Sequence, residues 1–264
     1  MSTMTIHLEG IGLFGPGMSG WEQARAVLRG ETALVLAPPQ LPPVDALPPA
    51  ERRRVGAALK LAMSAGFEAV RHAGVDPQTL AAVFSSTGGD CDNCHQLLDT
   101  LASGDRSVSP TRFHNSVHNM PAGYWSIATG CMAPSTSLCV YDASFTGGLL
   151  EAAAQALSQN ERCLLVSFDT AYPEPLFALR PIPHHFGVAL VLNPVPTEHS
   201  LGTLTVELSQ AGADTLDEAG PEQLRGAVPS ARSLPLLRLL AREQAGRTVL
   251  EYLDGLSLAV AFQP

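Results

Sequence analysis

The sequence is short of charge, and of positive charge above all: 16 Lys and Arg stand against 25 Asp and Glu in 264 residues, a formal net charge of −9. Nucleic-acid binding therefore has no electrostatic footing. Arg52–Arg54 is the one basic run, and it reads as a solvated helix face. No apolar run approaches the roughly 18–20 residues of a membrane span. The N-terminus, MSTMTIHLEGIGLFG, lacks a basic segment ahead of a long apolar core, so no signal peptide is expected. Five cysteines, an odd number, do not make a disulfide framework and read as the free thiols of a cytoplasmic protein. No internal repeat occurs at solenoid or propeller periods. What is present is a hydrophobic content of 45% with only 16% charged residues, enough for one substantial core and for surface that a partner covers.

Thr5–Leu13 alternates apolar residues and ends in Gly-Pro-Gly, a first strand and turn. Ser19-Gly-Trp-Glu22 has the spacing of a capping box, opening a helix to about Leu28. The Pro-rich stretch Thr32–Pro49 is expected to drape over the surface. One long helix is then expected from Ala50 to Ala73, with Val55, Leu59, Ala62 and Ala69 on its buried stripe and Gly66 letting a neighbour approach closely. Strands are expected at Ala81–Ser86, Ser135–Tyr141, Cys163–Phe168 and Phe186–Leu192, and helices at Asn93–Leu101, Pro121–Thr129 and Ala143–Ser158. That alternation predicts a parallel-type sheet covered on both faces. After Pro196 follow a strand at Leu201–Leu208, a polar stretch at Ala211–Ser230, a helix at Leu234–Arg242 and two strands joined by Asp254-Gly255, a hairpin signal.

Pro134–Glu151, PSTSLCVYDASFTGGLLE, is the most informative segment: a strand, a turn of small residues, and a Gly-rich helix start. That is the architecture of a nucleophile elbow, in which the residue between strand and helix faces a pocket. The residue at the apex is Asp142. On local chemistry alone its carboxylate is a helix N-cap. Gly147-Gly148 predicts close helix packing beneath the elbow, since no Lys-Ser/Thr follows to make a phosphate loop. Cys91-Asp-Asn-Cys94-His95 spells a haem-attachment pattern, but no second CxxC or export signal accompanies it, and it reads as a loop-to-helix junction. His114, His118, His184 and His185 read as hydrogen-bonded structural residues, so neither metal nor cofactor is expected.

The runs SPTRFHNSVHNMPAGYWSIATG (Ser109–Gly130) and APSTSLCVYDASFTGGLLEAA (Ala133–Ala153) resemble the β-ketoacyl synthase family of the thiolase superfamily. Asn119-Met-Pro-Ala-Gly123 matches that family's helix start, Ala133-Pro134 nearly matches its Gly-Pro, and Phe186–Leu192 resembles its Gly-rich strand. The resemblance implies an α/β, thiolase-like layered fold (α-β-α), with a complete N-terminal half over residues 1–196 and a reduced second half over 197–264 packed on the same domain. It sets Asp142 where the family carries its nucleophilic Cys, and the family's His-Gly-Thr is missing. A carboxylate cannot hold the thioester that acyl-chain elongation requires.

The resemblance thus implies a chain-length-factor-like subunit, as in aryl polyene clusters. Such a subunit pairs with an active ketosynthase, shapes its acyl tunnel and meets acyl carrier protein through the complex. Tunnel or interface candidates are Asp92, Asn93, His95, Leu98, Phe113, Asn119, Tyr124, Leu138, Val140 and Phe145; Phe113, Tyr124 and Trp125 read either as core aromatics or as interface anchors. Two rivals stay open: a stand-alone malonyl decarboxylase or acyltransferase using Asp142, and a structural homodimeric scaffold.

Overall fold

A computed structural model describes residues 3–264. The chain begins with β1 (Met4–Gly15), whose end folds back through β2 (Met18–Ser19), and continues into α1 (Trp21–Arg29), α2 (Pro49–Arg52) and α3 (Ala57–Ala73). Then come β3 (Ala81–Ser85), α4 (Cys91–Ala102), α5 (Pro110–His114), α6 (Met120–Thr129), β4 (Ser135–Leu138) and α7 (Ser144–Gln159). β5 (Cys163–Asp169), α8 (Leu176–Leu179), β6 (Phe186–Asn193) and β7 (Gly202–Ser209) follow. The last elements are α9 (Ala219–Ala227), a 3-10 turn at Pro229–Ser233, α10 (Leu234–Arg242), β8 (Gly246–Leu253) and β9 (Leu256–Gln263).

The strands form one sheet in the order β4-β3-β5-β6-β1-β7-β9-β8, with β2 paired to β1. The central strands are apolar on both faces because helices cover both. In β6, Val188 and Leu190 join the core shared with α1, α7 and α10, whereas Ala189 and Val191 join the core under α3 and α6. This is the three-layer α-β-α arrangement, and it explains why these strands read as continuous hydrophobic runs rather than alternating ones. The sheet is mixed, not parallel as expected: only β3–β4 and β3–β5 run parallel, and the remaining pairings are antiparallel. Strand direction depends on where each crossover lands, which periodicity does not encode.

Four local expectations need correction. The long helix is broken at Arg53–Gly56 into α2 and α3, so Val55 lies in the break. There the Arg54 carbonyl accepts the Asn115 side-chain amide at 3.1 Å, and Gly56 is extended at φ −80°, ψ 178°. The capping box does not form. Gly20 is the N-cap of α1, and Glu68 of α3 takes the Trp21 N–H at 2.6 Å and the Leu13 N–H at 2.8 Å, a long-range substitute for a local cap. Burial of that carboxylate pushes its pKa up. β4 is only four residues long and half-exposed rather than a buried strand to Tyr141. The polar stretch after Ala211 contains a helix, α9. The close approach at Gly66 is as expected: a Cβ there would meet the Trp125 ring at 2.9 Å.

Candidate functional site

β4 hands over to α7 through Cys139–Ala143, and the turn is sharp because Tyr141 adopts φ 51°, a left-handed conformation unusual for a non-glycine residue. Its carbonyl accepts hydrogen bonds from the hydroxyls of Thr87 and Ser144. The helix can start directly under the turn because Gly147 and Gly148 carry no Cβ. One on Gly147 would lie 2.5 Å from Val140, and one on Gly148 would lie 2.7 Å from the Ser85 hydroxyl. The glycine pair therefore packs the elbow as its sequence predicts.

Asp142 is not the N-cap. That position belongs to Ala143, with no side-chain capping bond. The Asp142 carboxylate instead accepts from Arg180 through Oδ1 and from Arg232 through Oδ2, the latter at 3.1 Å. Two charge-assisted bonds outweigh one bond to a backbone N–H. Arg180, just beyond α8, also lies with Cζ 3.7 Å from the centroid of the Tyr141 ring, so it grips two consecutive elbow residues. Arg232 sits in the 3-10 turn and pairs in addition with Glu251 of β8. Glu251 meets Arg225 at 2.8 Å, and Arg225 meets Glu222 at 2.7 Å. The result is an alternating chain, Arg180–Asp142–Arg232–Glu251–Arg225–Glu222, of which Asp142, Arg232 and Glu251 line a cleft of about 580 Å³ together with Tyr252 and Asp254. The hydrogen bond from Arg225 holds the Glu222 carboxyl below its usual range, and its bond to Glu222 raises Arg225 further.

Beneath the elbow lies Asp169 at the end of β5, 1% exposed. It accepts the Thr87 N–H at 2.9 Å, the Ser230 N–H at 2.8 Å and the Ser86 hydroxyl at 3.4 Å. One buried carboxylate thus ties the loop after β3, which touches the elbow through Thr87, to the turn that carries Arg232. Sequence reasoning missed Arg180, Arg232, Glu251 and Asp169. Arg180 and Arg232 lie 38 and 90 residues from Asp142, and no spacing rule connects them.

No thiol or imidazole hydrogen-bonds to Asp142 among the described residues. Cys139 is exposed and donates to the Thr87 carbonyl at 3.3 Å, and Cys131 is buried against the Leu80 carbonyl. Cys91 and Cys94 lie in the first turn of α4. Burial pushes the Cys91 thiol up to about 11, far from a reactive thiolate. His114 ends α5 whereas His118 lies beyond it, bonded through Nε2 to the Ser86 carbonyl at 3.0 Å, and His185 takes the Ala171 N–H at 3.2 Å. No group of three metal-binding side chains occurs among the described residues.

The interface and tunnel candidates do not share one surface. Leu98 and Phe113, 65% and 70% exposed, come together across α4 and α5 in an apolar groove of about 770 Å³ with Leu97, Leu101, Val108 and Pro110. Asp92 and Asn93 face instead a polar hollow beside Arg53, Arg54 and Arg112. His95 is half-buried on α4, and Asn119 is exposed at the start of α6 without a capping bond. Leu138 and Val140 are half-buried at the elbow. Tyr124 and Phe145 are core residues, 2% and 0% exposed, and Tyr124 donates to Asn115 at 3.2 Å. Trp125, also 2% exposed, packs against Phe67 and Phe84 rather than anchoring an interface.

Among the described residues β4 is a sheet edge, hydrogen-bonded only to β3. Met132 and Tyr141 at its two ends, Ile127 on α6 and Leu179 on α8 are all exposed. No helix among the described residues is long and apolar enough to cross a membrane.

No curated protein matches the sequence significantly. Among solved structures, the chain is similar to a ketosynthase (ApeO) in complex with its chain length factor (ApeC) from Xenorhabdus doucetiae, at 24% identity and TM-score 0.75 over 98% of this chain and 99% of that one. It is also similar to the ishigamide ketosynthase/chain length factor, at 14% identity and TM-score 0.76 over 98% and 99%. A third is a type II polyketide acyl-carrier protein complex with its ketosynthase, AntDE:AntF, at 11% identity and TM-score 0.74 over 99% of each chain. At these identities the likeness establishes the thiolase-like fold. The family model described as the β-ketoacyl synthase N-terminal domain matches residues 21–252. The chain therefore belongs to the β-ketoacyl synthase family, as a ketosynthase-like protein whose elbow carries Asp142.

Proposed function

We propose that the chain is a non-catalytic subunit that pairs with an active β-ketoacyl synthase and shapes its acyl tunnel, in the manner of a chain length factor. The observation that carries this reading is the state of the elbow. Asp142 is neutralised by two arginines and has neither thiol nor imidazole bonded to it, so a nucleophile and a general base are both missing where an acyl-enzyme would form. An edge strand flanked by exposed apolar residues is what a pairing surface requires, because an uncovered edge invites addition of another strand. The groove at Leu98 and Phe113 is apolar and open, suited to walling a hydrocarbon chain at a shared interface. Acyl carrier protein is then a partner of the complex. Residues 1–196 form the ketosynthase-like half in this reading, and 197–264 its reduced complement.

Co-expression with candidate ketosynthases tests it. The expected result is a co-purifying complex whose product length shifts when Leu98 or Phe113 is replaced by Trp. A chain that forms no complex, and whose deletion leaves product length unchanged, refutes it. Asp142→Asn separates this reading from a stand-alone decarboxylase or acyltransferase: the subunit reading predicts retained product, the enzyme reading its loss. A monodisperse homodimer that does not exchange with any ketosynthase favours the scaffold instead.

A further inference from the structure

Asp142 sits between two guanidinium groups that belong to other parts of the chain. Arg180 reaches it from the segment after α8 and Arg232 from the 3-10 turn, each donating to a different carboxylate oxygen. Both arginine side chains are about four-fifths buried, with exposures of 23% and 20%. Their positions are fixed independently of Asp142: Arg180 by its stack on Tyr141, Arg232 by Glu251. Two preorganised, largely desolvated cations aimed at one point are what a carboxylate site consists of. Asp142 and Arg232 line the cleft of about 580 Å³, so the point at which the two cations meet is reachable from solvent.

The geometry points to a carboxylate-binding site formed by Arg180 and Arg232, of which the Asp142 side chain is the resident ligand. The site takes small monocarboxylates, and the native chain holds it closed with its own carboxylate. Because Tyr141 also holds Arg180 and Glu251 also holds Arg232, removing Asp142 leaves the pair in place; it takes from Arg180 its salt-bridge partner among the described residues, and leaves Arg232 with Glu251. This goes beyond the subunit reading and stands or falls separately from it, since that reading is judged by complex formation and this one by anion binding to the isolated chain.

Size matching supplies the test. Asp142→Ala deletes one carboxylate group, the size of formate; Asp142→Gly deletes that group and its β-carbon, the size of acetate. Thermal unfolding is followed in sodium formate, acetate or chloride at equal ionic strength. Asp142→Ala is expected to melt several degrees below the native chain and to recover most of that loss in formate but not in chloride. Asp142→Gly is expected to recover in acetate as well, and adding Arg232→Met to either variant abolishes recovery. The native chain is expected to melt at the same temperature in all three salts. Equal recovery in chloride and formate, or an equal response of the native chain, overturns the proposal. If a variant does not accumulate folded, refolding from urea in formate against chloride reads the same site: a higher yield in formate supports it, and equal yields overturn it.

Discussion

Asp169 offers a quantitative test of how the elbow is supported. It is buried, it accepts two backbone N–H groups and one hydroxyl, and no arginine or lysine is among its hydrogen-bond partners. Burial raises its pKa and the hydrogen bonds pull it back only in part, leaving it pushed up to about 6 from an ordinary 3.8. A rise of about two pH units at about 1.4 kcal/mol each is worth about 3 kcal/mol. The sign follows from linkage. The folded state holds this proton more tightly than the unfolded state, so the contribution is fully present below about pH 3.8 and is lost as the pH rises through about 6.

Asp169→Asn removes the titration. It also leaves one of the two N–H groups facing an amide NH₂, a pH-independent cost of about 1–3 kcal/mol. Urea unfolding of both proteins from pH 4 to 7.5 separates the two effects. The stability of the variant minus that of the native chain should rise by about 2 to 3 kcal/mol across the range, with the constant offset cancelling. A flat difference, or one that falls with pH, refutes the account of Asp169 as a buried carboxylate without a counter-ion.

Gly147→Ala places a Cβ 2.5 Å from Val140 and should cost about 1–3 kcal/mol in urea unfolding, whereas Gly123→Ala, with nothing within 4 Å, should gain about 0.5–1 kcal/mol; the reverse ranking would contradict the packing under the elbow. Glu9 is fully buried at a bulge of β1, where burial is outweighed by bonds from Arg162, Thr197 and Asn193 that lower its pKa. Glu9→Ala should therefore destabilise by about 3 kcal/mol at neutral pH and by progressively less as the pH falls through the native carboxyl's range, an acid loss absent from the variant. Amide exchange in Ser135–Leu138 should slow on binding a ketosynthase partner; unchanged exchange speaks against the β4 edge as the pairing surface.

The strands β3, β5 and β6, helices α7 and α10 and the β8–β9 hairpin were legible because their signals are local. Apolar runs, helical periodicity and the Asp254-Gly255 turn each act within one element. The elbow was legible for the same reason, since a strand, a turn and a Gly-Gly helix start occupy one stretch around Asp142. The break before α3, Glu68 in place of a local cap and the mixed direction of the sheet were not, because each depends on a residue or strand far along the chain. Tyr124 and Phe145 show the same limit: the family resemblance made them tunnel or interface candidates, and only packing decided that both lie in the core.

Sequence alone therefore determined that the apex of the elbow is a carboxylate and not a thiol. Only the tertiary structure decided what that carboxylate does. Local rules made Asp142 a helix cap, but the fold brings Arg180 and Arg232 to it from 38 and 90 residues away, and two guanidinium groups outcompete a backbone N–H for the same oxygens.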